Sequence, residues 1–219
     1  MEVWQVTWFT VLCAAGATVL ILPPGVVLAW LLARRKFPGR VLVETFVSLP
    51  LVMPPVATGL ILLMLLSRRG SIGRVLERLG IEVVFTWKAV VLAMAIMGLP
   101  LLVRTARAGF EQVNARYESV AATLGASPAR VFLTISLPLA WPSVLAGAVL
   151  AFARALGEFG ATIIVAGSIP GATRTLAVAI YGYAETGQDD LAFTLLLVSV
   201  SIAFVALWTA NRLVERRVS

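Results

Sequence analysis

Long apolar stretches alternate with short polar intervals along most of this chain. Five of the stretches are long enough to cross a bilayer as a helix, which takes about 20 residues, and they cover residues 8–33, 43–66, 88–104, 139–156 and 191–213. The pattern predicts an all-α polytopic membrane protein with five transmembrane helices, or six if the 67–87 or the 158–168 region also crosses. We interpret residues 1–219 as a single transmembrane domain.

Prolines interrupt two of the predicted spans. Pro23 and Pro24 are expected to break or kink the first span. Pro50, Pro54 and Pro55 lie within the second span, too close together for a regular helix turn. Because broken helices at membrane depth normally face protein or a water-filled cavity, these three prolines mark a candidate pore-lining segment. A kink that serves only packing is the alternative.

Clusters of basic residues set the expected orientation. Arginine and lysine gather at residues 34–40, 104–107 and 212–217, each at the end of a predicted span. The positive-inside rule places such clusters in the cytoplasm. The N-terminus and the 67–87 interval are then expected outside, although that interval carries arginines of its own.

Composition narrows the possible functions. The chain is 60% hydrophobic and 13% charged, whereas a soluble domain carries about 25% charged residues. It has no histidine and a single cysteine, Cys13, which removes imidazole bases, histidine metal sites and internal disulfides. The only lysines, Lys36 and Lys88, do not fit a nucleotide-binding phosphate loop. We therefore predict no catalytic residue, no metal site and no cofactor bound by this chain.

The interval between the third and fourth spans is neither fully apolar nor simply charged. Val120 and Leu124 recur at helical spacing, and Gly125 can end the helix that contains Val120. Ser127 and Pro128 can cap and begin a second helix. Two short helices at a membrane face predict a docking element, with an ordinary interhelical loop as the alternative.

Two ionisable residues follow the fourth span. Arg154 and Glu158 are four residues apart, so on a helix they share a face and can pair. Ionisable residues at membrane depth are candidates for function. The pair is interpreted as an outer gate or a contact for a binding protein, or else as a structural ion pair that closes the bundle. Arg174 could add positive charge near the entrance.

The spacing from Gly125 to Ile135 and then to Leu137-Pro138 resembles the Glu-Ala-Ala signature of permease subunits of ABC importers. Residues 119–121 occupy the Glu-Ala-Ala places, and Glu118 stands one residue early. In such permeases this loop is a coupling helix that docks in a groove of the cytoplasmic ATPase. We call residues 111–137 the coupling segment. The resemblance assigns ATPase coupling to Glu118, Ser119, Ala121, Ala122, Gly125 and Pro128.

Further motifs are similar to those of molybdate-importer permeases. They are Leu-Pro-Leu-Val-Met-Pro-Pro at 49–55, Phe-Ala-Arg-Ala-Leu-Gly-Glu-Phe-Gly-Ala-Thr-Ile at 152–163, and the run at 169–175. The resemblance implies the type I ABC importer permease fold. It also implies a multi-pass protein of the bacterial or archaeal cell (inner) membrane. The pore and gate candidates are Pro50, Pro54, Pro55, Arg154, Glu158, Thr162 and Arg174.

The same resemblance implies the partners and the activity. Two copies of the chain are expected to form the pore above two ABC ATPase subunits, which hold ATP and Mg. A periplasmic or lipid-anchored binding protein is expected to deliver the oxyanion. The expected function is ATP-driven import of molybdate or tungstate by alternating access, with no nucleic-acid partner.

Three other functions are alternatives to this one. Sulfate-importer permeases carry a similar run at 156–162, and a permease for sulfate or thiosulfate is the first alternative. An ATP-independent channel or secondary transporter has no use for a coupling signature. An integral membrane hydrolase is disfavoured by the absence of histidine.

Overall fold

A computed structural model describes the backbone of residues 2–218 and the side chains of residues 3–209 and 212. The Arg216 and Arg217 side chains, used above to predict a cytoplasmic C-terminus, lie outside the described ones. The first half of the chain contains α1 (Glu2–Arg34), α2 (Arg40–Val52), α3 (Pro55–Leu66), α4 (Ser71–Arg78) and α5 (Trp87–Gln112). The second half contains α6 (Ala115–Thr123), α7 (Pro128–Val131), α8 (Leu137–Leu156), α9 (Gly160–Ala166), α10 (Leu176–Glu185) and α11 (Asp189–Val218). A π-helical turn, Phe132–Ser136, joins α7 to α8.

The predicted apolar stretches all form helices. Among the described residues, four stretches are long and apolar enough to cross a membrane, at Val3–Arg34, Trp87–Gln112, Pro128–Leu156 and Asp189–Thr209. Helices α2 and α3 qualify together as a fifth span, although they meet at 114°. The sixth span left open above is not present within residues 2–218, because α4 has 8 residues and α9 has 7. Neither is long enough to cross.

The prolines act differently in the two spans. Helix α1 continues through Pro23 and Pro24, so of the expected break or kink the break is wrong there. Membrane helices tolerate proline when neighbouring groups satisfy the freed carbonyl groups. In the second span the break is confirmed, and it falls at Met53 and Pro54. Pro55 occupies the start of α3, where a missing N–H leaves no helical bond unmade.

Helix α5 lies at the centre of the bundle and packs against α1, α2, α8 and α9. Small residues let α8 approach it closely. A Cβ on Gly147 of α8 would lie only 3.0 Å from the carbonyl oxygen of Leu102. The small-residue face of α8 therefore packs against α5, as close helix contacts in membranes require.

The two ends of α5 lie against different parts of the chain. At its C-terminal end, Arg34 of α1 donates a hydrogen bond to the carbonyl oxygen of Val113 at 2.6 Å. At its N-terminal end, Lys88 donates to the carbonyl oxygen of Glu82, in the connection that follows α4. The basic cluster at 34–40 and the coupling segment therefore share one end of the molecule, as the predicted topology requires.

Candidate functional site

The coupling segment folds as two short helices, as predicted. Gly125 follows α6 in the left-handed conformation, with φ of 84°. The hydroxyl of Ser127 accepts a hydrogen bond from the N–H of Arg130 at 3.4 Å, and Pro128 is the first residue of α7. The predicted helix end, cap and helix start are all confirmed.

The apolar residues of α6 pack only weakly against the rest of this chain. Residues 115–123 are all described, and none of them is buried. Val120 is 58% exposed, and Leu124, directly after α6, is 83% exposed. Contiguous apolar groups exposed outside the spans are typical of a protein interface. The geometry therefore favours docking over an ordinary loop.

Glu118 makes its contacts inward. Its Oε1 atom accepts a hydrogen bond from Nε of Arg34 at 3.1 Å and another from Oγ of Ser136 at 2.8 Å. The Arg34 and Glu118 side chains are 16% and 19% exposed, and Ser136 is buried. Glu118 thus connects α6 to the end of α1 and to the π-helical turn.

A cavity of about 420 Å³ lies between the end of α1 and helices α6 and α7. Ala122 and Pro128 line it together with Glu118, so three predicted coupling residues meet at one place. Ser119 does not line this cavity; it is exposed, and its hydroxyl donates to the carbonyl oxygen of Ala115. Ala121 is half-buried.

The predicted pore-lining prolines lie at the corner between α2 and α3. Pro54 and Pro55 are exposed, whereas Pro50 lies inside α2 and is half-buried. Helix α9 packs directly on this corner, since a Cβ on Gly160 would lie 2.7 Å from Cβ of Pro55. The structure therefore brings Pro55 next to the start of α9, and Thr162 lies one turn or less along that helix.

Helices α3 and α9 approach each other at backbone distance. A Cβ on Gly59 would lie 2.7 Å from the carbonyl oxygen of Ala161. Thr58 and Thr162, the chain neighbours of these two residues, are both buried. Within the part of the chain that the structure describes, neither hydroxyl has a hydrogen-bond partner. Among the described residues, the two threonines next to the contact in the chain thus carry buried hydroxyl groups without a partner.

The predicted pairing of Arg154 with Glu158 is confirmed, with Nη2 and Oε2 2.7 Å apart. The shared helix is wrong, because α8 ends at Leu156 and Glu158 lies in the turn before α9. Glu158 is buried, and its Oε1 accepts the N–H of Ala161 at 2.7 Å. The carboxylate therefore joins the end of α8 to the first turn of α9.

Arg174 lies at the opposite end of the molecule from the coupling segment. It lines a cavity of about 610 Å³ together with Gln5 and Phe9 near the start of α1. Its Nε donates to the hydroxyl of Ser168 at 3.2 Å. This position agrees with the expected outer side.

A further cavity, of about 620 Å³, lies between the end of α3, helix α4 and the connection to α5. Arg68 lines it and bonds to Glu82 at 2.7 Å, and this hydrogen bond raises the pKa of the Arg68 guanidinium above its ordinary value. Phe85, on the same wall, has a positive φ of 59°, which bulky residues rarely adopt. Its N–H is held by the carbonyl oxygen of Val165.

The sequence did not reveal three residues of these sites. Arg34 was one of several basic residues that mark a cytoplasmic loop, and its partner Glu118 is 84 residues away. Ser136 and Thr58 lie in apolar surroundings with no local pattern to distinguish them. For Thr58, a hydroxyl residue inside the predicted span 43–66 is the available signal.

The fold is similar to that of membrane transport permeases. A bacterial ABC transporter involved in the import of the acidic polysaccharide alginate aligns with a TM-score of 0.75 and 17% identity, over 97% of this chain and 78% of that one. An inward-facing MetNI methionine ABC transporter aligns with a TM-score of 0.67 and 17% identity, over 98% and 94%. The fold is thus that of type I ABC importer permeases, as predicted.

The family follows from the sequence. Residues 25–219 match the family described as the binding-protein-dependent transport system inner membrane component, and the chain belongs to this family. It is 44% identical to the molybdenum transport system permease protein ModB of Escherichia coli (strain K12), over 97% of this chain and 96% of that protein. It is 34% identical to the sulfate transport system permease protein CysT of Salmonella typhimurium, over 94% and 75%. Membership makes the chain a multi-pass inner-membrane transport subunit.

Proposed function

We propose that this chain is the permease subunit of an ATP-driven importer that moves molybdate or tungstate into the cytoplasm. The uncovered apolar surface of α6, at one end of a permease fold, carries the proposal, because it provides a place for a motor subunit. Identity of 44% to a molybdenum permease against 34% to a sulfate permease supports the substrate. Sulfate or thiosulfate is the alternative.

Two copies of the chain form the pore in this proposal. The corner between α2 and α3 supports a second copy, because its non-helical residues Met53 and Pro54 are half-buried and exposed, respectively, in a single chain. Such backbone is stable at membrane depth only against protein or a water-filled cavity. A second copy facing this corner provides both.

Two ABC ATPase subunits bind beneath the two α6 helices, and ATP and Mg are held there and not by this chain. A periplasmic or lipid-anchored binding protein docks at the other end, where Arg68 and Arg174 lie. ATP binding closes the ATPase pair and draws the two coupling segments together. Rigid-body rocking then exposes the pathway to the outside.

The pathway has to lower the energy of a dianion in the membrane, where an unshielded charge is very costly. Hydroxyl groups and backbone N–H groups near the α2–α3 corner supply dipoles without fixed charge. Binding there has to stay weak, because a tightly held anion would not leave. Selection of the oxyanion is the task of the binding protein.

The test is uptake into vesicles that contain this chain, its ATPase and its binding protein, with labelled molybdate and competing tungstate and sulfate. We expect ATP-dependent molybdate uptake that tungstate inhibits and excess sulfate does not. Uptake of sulfate instead would retain the fold and the coupling role and assign the alternative substrate. Molybdate uptake without ATP would contradict the proposal.

A further inference from the structure

We propose that Arg34 is a positioning residue that transmits movement between the coupling helix α6 and the membrane-spanning helix α1. The inference rests on the proposed function, because it requires an ATPase beneath α6. It adds Arg34 and Ser136, which are not part of the coupling signature. It also gives Glu118 a role within this chain, through its bonds to Arg34 and Ser136.

Few contacts hold α6 to the rest of the chain. All of residues 115–123 are described and none is buried, and the packing partners of α6 are chiefly α7 and the π-helical turn. The cavity of about 420 Å³ separates part of α6 from α1. The hydrogen bonds of the Ser119 and Thr123 side chains stay within α6. The Glu118 carboxylate is the group that crosses to α1.

The Arg34 side chain joins several segments at once. Its Nε bonds to Glu118 at 3.1 Å, and its Nη2 bonds to the carbonyl oxygen of Val113 at 2.6 Å. Arg34 ends α1, and Val113 directly follows α5. The planar guanidinium group holds its bonds to Glu118 and to Val113 in one fixed relative geometry, whereas a lysine ammonium does not. Charge-assisted hydrogen bonds of this kind are stronger than neutral ones.

Ser136 extends the connection to the fourth span. It is buried, it bonds to the same Oε1 atom of Glu118 at 2.8 Å, and it ends the π-helical turn that leads into α8. π-helical turns occur frequently at functional sites. A shift of α6 therefore pulls on α1 through Arg34 and on α8 through Ser136, so that both spans follow the motor.

The experiment measures molybdate imported per ATP hydrolysed in vesicles that contain the complete importer. The variants are Arg34→Gln, Arg34→Lys and Ser136→Ala, and the amount of assembled complex is measured for each. The control is Glu44→Gln. It breaks the Glu44–Arg107 ion pair beside α5, and it leaves α6 untouched.

We expect Arg34→Gln to lower the ratio about tenfold, as loss of a charge-assisted pair suggests. Arg34→Lys should recover part of it, and Ser136→Ala should lower it about twofold to threefold because one neutral donor is lost. Glu44→Gln should match the unsubstituted importer. If the Arg34→Gln importer fails to assemble, the inference is tested by the ratio of molybdate imported to ATP hydrolysed in the Arg34→Lys and Ser136→Ala variants.

Two results would overturn the inference, and they are distinguishable. An unchanged ratio in all Arg34 and Ser136 variants, even with less complex assembled, would make the network merely structural. Absence of ATP-dependent molybdate uptake by the unsubstituted importer would overturn the proposed function, and the inference with it.

Discussion

Gly125 has a φ of 84°, a conformation in which L residues are strained. Apart from its two chain neighbours, no heavy atom of the described residues lies within 4 Å of the position that its Cβ would occupy. Within this chain, the glycine is therefore needed for the turn after α6 and not for space. In the proposed complex the same exposed turn faces the ATPase, which adds a second reason for the absence of a side chain.

Two substitutions separate these reasons. Gly125→Val should destabilise the isolated chain by about 1–2 kcal/mol, because a β-branched residue is disfavoured at this φ. Gly125→Asn should cost less, because asparagine adopts the left-handed conformation more readily. We expect both variants to lose ATP-coupled uptake, since both place a side chain against the partner. Uptake that survives in Gly125→Val would contradict the coupling role.

The Arg154–Glu158 pair differs from an exposed salt bridge because its carboxylate is buried. Arg154→Met would leave that charge without its cation, which typically costs about 3–5 kcal/mol. Adding Glu158→Gln should recover most of the loss, because the amide oxygen can still accept the N–H of Ala161. Thermal unfolding in detergent measures both effects. Normal uptake by the stable double variant would show that the pair only closes the bundle.

Among the helices, α3 and α9 form a contact that is tight in its backbone and incomplete in its hydrogen bonds. Gly59 and Ala161 meet at the contact, and the hydroxyls of their chain neighbours Thr58 and Thr162 are buried with no partner among the described side chains. An unpaired buried hydroxyl normally costs about 1–3 kcal/mol. Such a cost is typical of sites where a group is kept for function.

Thr58→Val and Thr162→Val keep the shape of the side chain and remove the hydroxyl. We expect both variants to unfold at the same temperature as the unsubstituted chain or higher, because no bond is lost. Thr10→Val is the matched control, since the Thr10 hydroxyl accepts the N–H of Leu176 at 2.9 Å and donates to Val6. It should unfold at a lower temperature. Equal destabilisation of all three variants would show that the Thr58 and Thr162 hydroxyls have partners.

At the scale of the whole molecule, hydropathy was sufficient to find the five apolar stretches and the exposed coupling segment. Hydropathy misplaced the end of a helix where a charged residue was taken to mark that end. The third span was expected to end at Arg104, but α5 continues to Gln112, because arginine is a good helix former and the following residues do not break the helix. The continuity of α1 through Pro23 depends on neighbouring helices, which a local pattern does not describe.

The functional contacts were less predictable than the spans. Gly125 and Ser127 were readable because helix ends are specified by adjacent residues. The Arg34–Glu118 bond joins residues far apart in the chain, and the sequence contains several other arginines for Glu118 to meet. Selecting the right one requires the arrangement of α1, α5 and α6.

The exposed position of α6 also affects the chain before it joins any partner. A helix of 9 residues is marginal in water by itself, and α6 gains little from burial. Limited proteolysis of the isolated chain in detergent should therefore cut first within residues 115–131. Addition of the ATPase should protect this region. Equal cleavage with and without the ATPase would contradict the docking surface.

The same exposure distinguishes a chain that has not yet bound its ATPase from one in the assembled importer. A copy of the chain that has inserted into the membrane without a motor subunit presents an easily opened helix to cytoplasmic proteases, whereas an assembled copy does not. The lifetime of the chain in the cell then depends on the supply of its partner. Quality control of the complex would act through the same surface that drives transport.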